Sequence, residues 1–171
     1  DAVRHRRAAV DALIDDTLAD ATAYAVNDLI APSTTAANVY PLAFSGATKT
    51  GNGGSGRISG LVGFRSDTTA ATIRYHFLKS RHRVTNGDNG ALIFTQLSEA
   101  DWIGYMDIAF TGTDDISGSG GGLINQSQSS PLDYVLGPGQ DTIFVFLHAL
   151  SAFTPGNAAT YGCKPTFEPF S

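Results

Sequence analysis

Short runs in which apolar and polar residues alternate make up most of the chain from Val39 onward, and glycine-rich turns separate them. Alternation with a period of two is typical of β-strands, because successive side chains point to opposite faces of a sheet. Tight turns are indicated by Asn-Gly-Asp-Asn-Gly at 86–90 and by Gly-Pro-Gly at 137–139. No helical pattern intervenes between these runs, so the sequence predicts a mainly β, antiparallel body.

Eight runs have the length and alternation of strands, and together they predict an antiparallel β-sandwich of about eight strands. The jelly roll is one arrangement of such a sandwich. The runs are 39–45, 57–66, 71–79, 81–85, 91–97, 102–110, 132–136 and 142–150. Composition supports this interpretation, because the 171 residues include 19 glycines and 17 threonines but only two glutamates.

The beginning of the chain shows a different pattern, with apolar side chains close to helical spacing and acidic side chains between them. The apolar stripe consists of Val3, Val10, Leu13, Ile14, Leu18, Ala21, Ala25 and Leu29. Pro32 follows, and proline commonly ends a helix. The pattern predicts an N-terminal α-helix in residues 1–32, a β-sandwich body at 33–153, and an extended C-terminal arm with prolines and aromatic residues at 154–171.

The stripe of the predicted helix is rich in alanine and buries little apolar area, whereas helices in proteins gain most of their stability by packing such a face. We therefore expect the helix to pack against a neighbouring subunit, and to be needed for assembly but dispensable for folding of the β body. Its first turns carry Arg4, Arg6 and Arg7, where the helix dipole disfavours cations. Either the helix continues from a segment upstream of Asp1, or an anionic partner holds its basic tip.

The last predicted strand is apolar on both faces. Ile143, Val145 and Leu147 share one face, and Phe144 and Phe146 share the other. An antiparallel sheet normally leaves one face in water, so both faces of this strand need cover, either from the chain's own helix and tail or from another subunit. The side chains that we expect at a subunit interface are Val10, Leu13, Leu18, Trp102, Phe144, Phe146, Phe167 and Phe170.

The sequence lacks the common motifs of catalysis and metal binding. It contains no Gly-x-Ser-x-Gly nucleophile elbow, no Gly-Lys-Ser/Thr phosphate loop, and no His-x-x-x-His or Cys-x-x-Cys zinc spacing. Cys163 is the single cysteine, so no intrachain disulfide forms. We therefore predict no catalytic residue, no cofactor, no metal site and no enzymatic activity. One alternative stays open, a β-sandwich hydrolase or lyase whose site brings together His76, His82, His148 and scattered aspartates.

Basic residues cluster around the predicted turn that begins near residue 79. The candidate contacts for an anionic partner are Arg74, His76, Arg81 and Arg83. A second interpretation is a solvated hairpin edge, where cations prevent pairing with other strands. Charge is uneven along the whole chain, since residues 1–83 carry 10 basic and 7 acidic side chains whereas residues 84–171 carry 1 and 9. Such a polarised chain is able to pair head to tail with copies of itself.

The predicted plan, a helix followed by a Gly/Thr-rich β-sandwich and a proline–aromatic arm, resembles the architecture of viral and phage structural proteins. That resemblance implies a structural subunit of a virion-type or extracellular assembly, namely a capsid, decoration or spike protein. Its expected partners are copies of itself and other structural proteins. No apolar run approaches the roughly 18 residues of a membrane-spanning helix, and no dense basic footprint indicates a nucleic-acid partner.

A different class of function also fits the sequence, a secreted carbohydrate-binding or adhesive β-sandwich module. The stacking platforms of such a module would be Trp102, Tyr40, Tyr105, Tyr134 and Tyr161. The same aromatic residues have another interpretation, which is packing in the core or at an interface.

Overall fold

Strands make up almost all of the regular structure of this protein. The fold is described from a computed structural model that defines residues 7–8, 12–15, 22–111, 122–156 and 158–170, with side chains from Thr22 onward. Within these residues lie β1 Arg7–Ala8, β2 Ala12–Asp15, β3 Leu29–Ile30, β4 Leu42–Ser45, β5 Gly54–Arg65, β6 Ala71–Leu78, β7 Arg83–Val84, β8 Phe94–Thr95, β9 Trp102–Phe110, β10 Leu123–Gln126, β11 Leu132–Leu136, β12 Thr142–Ala149 and β13 Thr160–Pro169. All their pairings are antiparallel, so the predicted mainly β, antiparallel class is confirmed.

The first sheet is built around the long strands β5 and β13, which pair with each other over most of their length. The other edge of β5 is shared by β10 and β11, and the other edge of β13 by β1 and β2. The register shifts between Thr166 and Phe167, which marks a β-bulge in this central pair. Two short strands therefore lie one after the other along the outer edge of each long strand.

The second sheet has the order β9, β6, β12, and the remaining edge of β12 is shared by β3 and β4. The registers place Arg74 of β6 between Asp107 of β9 and His148 of β12. Opposite Phe77 the register shifts at a bulge, where Gly104 has a φ of +152°, a conformation that favours glycine. Strands β7 and β8 form a separate two-stranded ribbon between β6 and β9 in the chain.

Both sheets contribute to one hydrophobic core. Its fully buried side chains include Ile58 and Phe167 from the first sheet, and Tyr75 and Ile108 from the second. Gly63 of β5 allows the opposite sheet to approach closely, because a Cβ built on it would lie 2.7 Å from Ile108 Cδ1 and 2.7 Å from Tyr75 Oη. Any larger residue at that position requires the facing side chains to move.

A second hydrophobic cluster lies on the face of β12 that is turned away from this core. Its buried members are Leu29, Ala31, Val39, Leu78, Val84 and Phe146. The cover over Phe146 thus comes from residues 29–39 and from the β7–β8 ribbon. Of the two alternatives for the two-faced strand, cover by the chain itself applies here, and the end of the predicted helix contributes to it as the strand β3 rather than as a helix.

The prediction of an N-terminal α-helix is wrong for the described residues, where β1, β2 and β3 form in its place. The only helix among them is a 3-10 turn, Ala36–Asn38. Helix propensity is a weak preference, and pairing with β13 and β12 satisfies the same backbone groups. Leu29 and Ile30 are both buried, so the end of this segment belongs to the core, which argues against its being dispensable for folding of the β body. No helix of the described residues is long and apolar enough to cross a membrane.

The predicted C-terminal arm is extended, but most of it is the sheet strand β13 rather than an arm on the surface. Tyr161, Cys163 and Phe167 are fully buried in the shared core. Proline had suggested an element outside the sheet. Pro165, however, lies in register with Leu61 of β5 and between the registers that β13 makes with β1 and β2, so it is part of the sheet.

Replacing Phe167 by alanine should lower the free energy of unfolding by about 3–5 kcal/mol, because the buried ring leaves a cavity in the shared core. Phe170 is the matched control, since it lies three residues later and is 53% exposed. Its replacement by alanine should cost less than about 1 kcal/mol. Urea denaturation measures both values, and equal values would mean that the C-terminal segment lies outside the core.

Candidate functional site

A cavity of about 640 Å³ opens beside the β7–β8 ribbon. Residues 36–40 form one wall, and residues 81–84 with Thr95 form the other. The lining residues are Ala36, Ala37, Val39, Tyr40, Arg81, His82, Arg83, Val84 and Thr95. Because Val39 and Val84 are buried in the second hydrophobic cluster, the floor of the cavity is part of the folded structure rather than a surface loop.

The walls of this cavity carry positive charge and no acidic side chain. Arg81 and Arg83 are both exposed, and neither forms an ion pair within the described part of the chain. The Arg81 guanidinium lies 4.4 Å from the centroid of the Tyr40 ring, a cation–π contact that restricts its position. His82 Nε2 lies 3.2 Å from Asp101 Oδ2 and 3.1 Å from Ser80 Oγ, so this histidine is held from outside the cavity.

The other two predicted anion contacts lie elsewhere. Arg74 donates two hydrogen bonds of 2.8 Å to the Asp107 carboxylate, and its guanidinium lies 3.6 Å from the Tyr105 ring centroid. His76 packs against His148. The structure therefore divides the predicted group of four, since Arg81 and Arg83 share a cavity whereas Arg74 and His76 lie on the strand β6.

Half-buried His76 and buried His148 form a pair, which the sequence suggested only within the hydrolase alternative. Nε2 of His76 lies 2.9 Å from Nδ1 of His148, so one ring donates the hydrogen bond and the other accepts it. Nδ1 of His76 and Nε2 of His148 are buried without a hydrogen-bond partner. The two residues are 72 positions apart in the chain and meet because β6 and β12 pair, which no local pattern could indicate.

The surroundings of this pair favour neutral rings. Burial, followed by the neighbouring His148 and Arg74, lowers the pKa of His76 to about 3, and Asp107 opposes this only in part. Burial and Arg74 also lower the pKa of His148. A charged imidazolium at this site would lose its hydration without gaining a carboxylate partner of its own.

A pair of exposed aromatic rings lies on β9. Trp102 and Tyr105 stack with ring centroids 6.3 Å apart and an interplanar angle of 30°. The groove beside them has a volume of about 470 Å³ and is also lined by Ser129, Ser130 and Leu132. We call Trp102 and Tyr105 the aromatic ledge. An exposed stack next to hydroxyl groups is able to hold a ring with polar substituents.

The predicted interface residues and stacking platforms fall into exposed and buried sets. Trp102 and Phe170 are exposed, and Phe144 is half-buried against the second cluster. Phe146 and Phe167 are buried within the subunit, so the prediction that they contact another subunit is corrected. Tyr40 and Tyr105 are exposed, whereas Tyr134 and Tyr161 are buried and cannot serve as platforms. Val10 and Leu18 lie outside the described residues, and of Leu13 only the backbone, in β2, is described.

Of the histidines proposed for a catalytic site, His76 and His148 meet, whereas Phe94 separates His82 from His76. Phe94 lies between His82 and His76, with ring centroids 6.5 Å from the first and 6.1 Å from the second. Cys163 is fully buried in the core. In the part of the chain that the structure describes, no three His, Cys, Asp or Glu side chains lie close enough together to hold a metal ion.

The buried histidine pair predicts that the protein loses stability as the pH falls. Below pH 6.5 the unfolded chain protonates His76, whereas the folded chain keeps it neutral down to about pH 3. The unfolded state therefore binds more protons, and the free energy of unfolding should fall by up to about 1.4 kcal/mol per pH unit from this residue. Urea denaturation at pH 7, 6, 5 and 4 measures the slope.

His76→Gln removes the titrating ring and should flatten this slope, and His82→Gln is the control that changes a histidine outside the pair. Every variant retains the same carboxylates. The difference in pH slope between the unmodified chain and His76→Gln therefore measures the contribution of the histidine pair to the free energy of unfolding. Parallel slopes for the unmodified chain and His76→Gln would contradict the prediction.

The chain was compared with protein-family models, with curated proteins and with solved structures. None of the three comparisons found a match. No function is therefore transferred to this protein from a relative. Any functional proposal rests on features of its own surface, namely the cavity, the aromatic ledge and the exposed apolar residues.

Proposed function

We propose that this protein is a structural subunit of a virion-type or extracellular assembly, such as a capsid, decoration or spike protein. It acts through contacts with copies of itself and with other structural proteins. The observation that carries the proposal is a groove of about 370 Å³ in which three large apolar side chains are exposed. Trp102 is 42% exposed, Val135 64% and Phe170 53%.

This Trp102 groove lies between β9, β11 and the end of β13. Lys79 and Asp133 also line it. Arg57 donates a hydrogen bond to Asp133, and its guanidinium lies 5.8 Å from the Phe170 ring centroid. An apolar centre with charged residues around it is the usual anatomy of a protein–protein interface, and exposed apolar patches commonly mark such contacts.

The strand order supports the same class of function. Setting aside the β7–β8 ribbon, we count β1 with β2, β3 with β4, and β10 with β11 as single positions, because each pair shares one edge. The eight resulting positions pair as first with eighth, second with seventh, third with sixth and fourth with fifth. We propose that the two sheets form a jelly-roll sandwich, which wraps in this way. Jelly rolls occur in viral capsid proteins but also in lectins and cupins, so the groove rather than the fold carries the proposal.

Assembly is tested by size-exclusion chromatography with light scattering over a wide range of concentrations. We expect the unmodified chain to associate as its concentration rises. Trp102→Ser and Phe170→Ser should each weaken association about 30-fold, because a central interface aromatic commonly contributes about 2 kcal/mol. Val26→Ser is the matched control, since it removes a side chain that is also 53% exposed but lies outside the groove.

Two outcomes would contradict the assembly proposal. The first is a clean monomer at the highest concentration reached. The second is an equal weakening of association by Val26→Ser and Phe170→Ser, which would mean that exposed apolar area in general, and not this groove, causes the association.

The aromatic ledge favours a second candidate, a secreted carbohydrate-binding module. Tyr105 is 40% exposed, and the Arg74 guanidinium lies 3.6 Å from its ring centroid. Arg74 is itself fixed by Asp107, so the ring is supported before any ligand arrives. A supported, partly exposed aromatic ring loses little conformational freedom when a sugar stacks on it.

Glycan-array binding separates the two candidates. Tyr105→Ala should abolish binding if the ledge holds a sugar, and Phe170→Ala should leave it intact, because Phe170 lines the Trp102 groove but not the ledge groove. If instead Phe170→Ser prevents association and no glycan binds the unmodified chain, the assembly proposal alone stands. Thermal melting of each variant checks that the fold is retained.

A further inference from the structure

We infer that the cavity between Tyr40 and Arg81–Arg83 is a binding site for a sulfate or phosphate ester carried by a small ring-shaped ligand. This site is separate from the Trp102 groove, with which it shares no lining residue. The inference therefore does not depend on the proposed function.

The first argument is the charge of the cavity. Two arginines line it, no acid does, and neither arginine forms an ion pair in the described ranges, whereas Arg57, Arg65 and Arg74 each do. The chain as a whole carries a net charge of −5, so two arginines without an ion-pair partner among the described residues are not a consequence of composition. Guanidinium groups bind the oxygens of sulfate and phosphate in a fork geometry, often with two hydrogen bonds at once.

The second argument is that the Arg81 side chain and the backbone of Arg83 are held in place. Arg83 is paired in register with Thr95 of β8, and the Arg81 guanidinium rests on Tyr40. Between them, His82 is held by Asp101, whose backbone carbonyl also accepts a hydrogen bond of 2.8 Å from the N–H of Lys79. The segment is anchored at several points, so less ordering cost remains when an anion binds.

This anchoring argues against the simpler interpretation of a solvated hairpin edge. Cations that only deter strand pairing need no cavity and no fixed position. Here the basic residues of β7 and its preceding turn face a wall that comes from a different part of the chain, residues 36–40.

The third argument concerns the rest of the ligand. A volume of about 640 Å³ exceeds what a bare sulfate or phosphate fills and lies within the usual range for small-molecule sites. Tyr40 is 53% exposed although Arg81 lies over one face of its ring, and the hydroxyl residue Thr95 lies on the opposite wall. A sugar ring that stacks on Tyr40 would place an ester group near both arginines.

The experiment is a calorimetric titration of the full chain at low ionic strength with five probes. They are inorganic sulfate, inorganic phosphate, a sulfated monosaccharide, a monosaccharide phosphate and the neutral monosaccharide. We expect saturable binding of the two sugar esters, weaker binding of the inorganic anions and none of the neutral sugar. Preference between the sulfate and phosphate esters identifies which source of the anion the site favours.

Arg81→Gln and Arg83→Gln should each weaken binding of the sugar esters about tenfold or more, because each removes a charge-assisted hydrogen bond. The matched control is Arg57→Gln, which changes an arginine of β5 in the first sheet whose side chain is 42% exposed, and it should leave binding unchanged. Tyr40→Leu should weaken the sugar esters more than the inorganic anions, because it removes the stacking surface for the sugar as well as the ring that positions Arg81.

Three results would overturn the inference. One is the absence of saturable binding for every anionic probe. Another is binding that Arg57→Gln weakens as much as Arg81→Gln, which would indicate general attraction to positive charge. The third is binding of the neutral sugar as tight as that of its esters. All four variants change exposed side chains, and melting curves measured alongside confirm that they fold.

Discussion

The strand β12 is buried on both faces, and much of the structure follows from that constraint. Val145 and Leu147 face the core shared by the two sheets, and Phe146 on the other face belongs to the second hydrophobic cluster. A strand with apolar side chains on both sides stays in the fold only if both sides are kept from water. Residues 29–39 and the β7–β8 ribbon supply the outer cover, and by lying there they also create the basic cavity and the dry environment of the histidine pair.

Aspartate side chains hold loops of this structure in place by hydrogen bonds. This role is a physical reason why the chain has 14 aspartates but only two glutamates. The Asp141 carboxylate accepts hydrogen bonds from the N–H groups of Gly46 and Thr48, which lie more than ninety positions earlier in the chain. Asp88 accepts hydrogen bonds from the Tyr24 hydroxyl and from the N–H of Ala31. A short carboxylate side chain satisfies loop N–H groups without the rotamer entropy of a longer one. Many acids are thereby used in structure, and the negative charge of the chain says little about its partners.

Strand positions were predictable where alternation was clear and both ends were marked by turns. The predicted runs at 102–110 and 132–136 match β9 and β11 residue for residue. Prediction failed where two patterns overlapped, since the spacing of Leu13, Ile14 and Leu29 suits a helix as well as short strands that pair with distant partners. It failed again at β13, because Pro165 has no N–H to donate to a ladder but still lies in register with Leu61 of β5, inside the sheet. The sequence places Arg81 and Arg83 in one group. Tyr40, which completes their cavity, is about forty residues away in the chain, so the sequence indicates it only as a platform for a sugar.

The sequence by itself determined that this chain forms antiparallel strands, that one of them needs cover on two faces, and that basic residues gather near residue 81, because period-two alternation, turn residues and charge are all local properties. Only the tertiary structure decided which strands pair, what covers β12, which aromatic residues stay exposed, and which histidines meet. These depend on contacts between residues far apart in the chain, and the free energy of such contacts comes from burial and from hydrogen-bond partners that no local window contains. His76 shows the difference, since the sequence places it among four candidate anion contacts, whereas in the fold β12 brings His148 beside it and burial lowers its pKa.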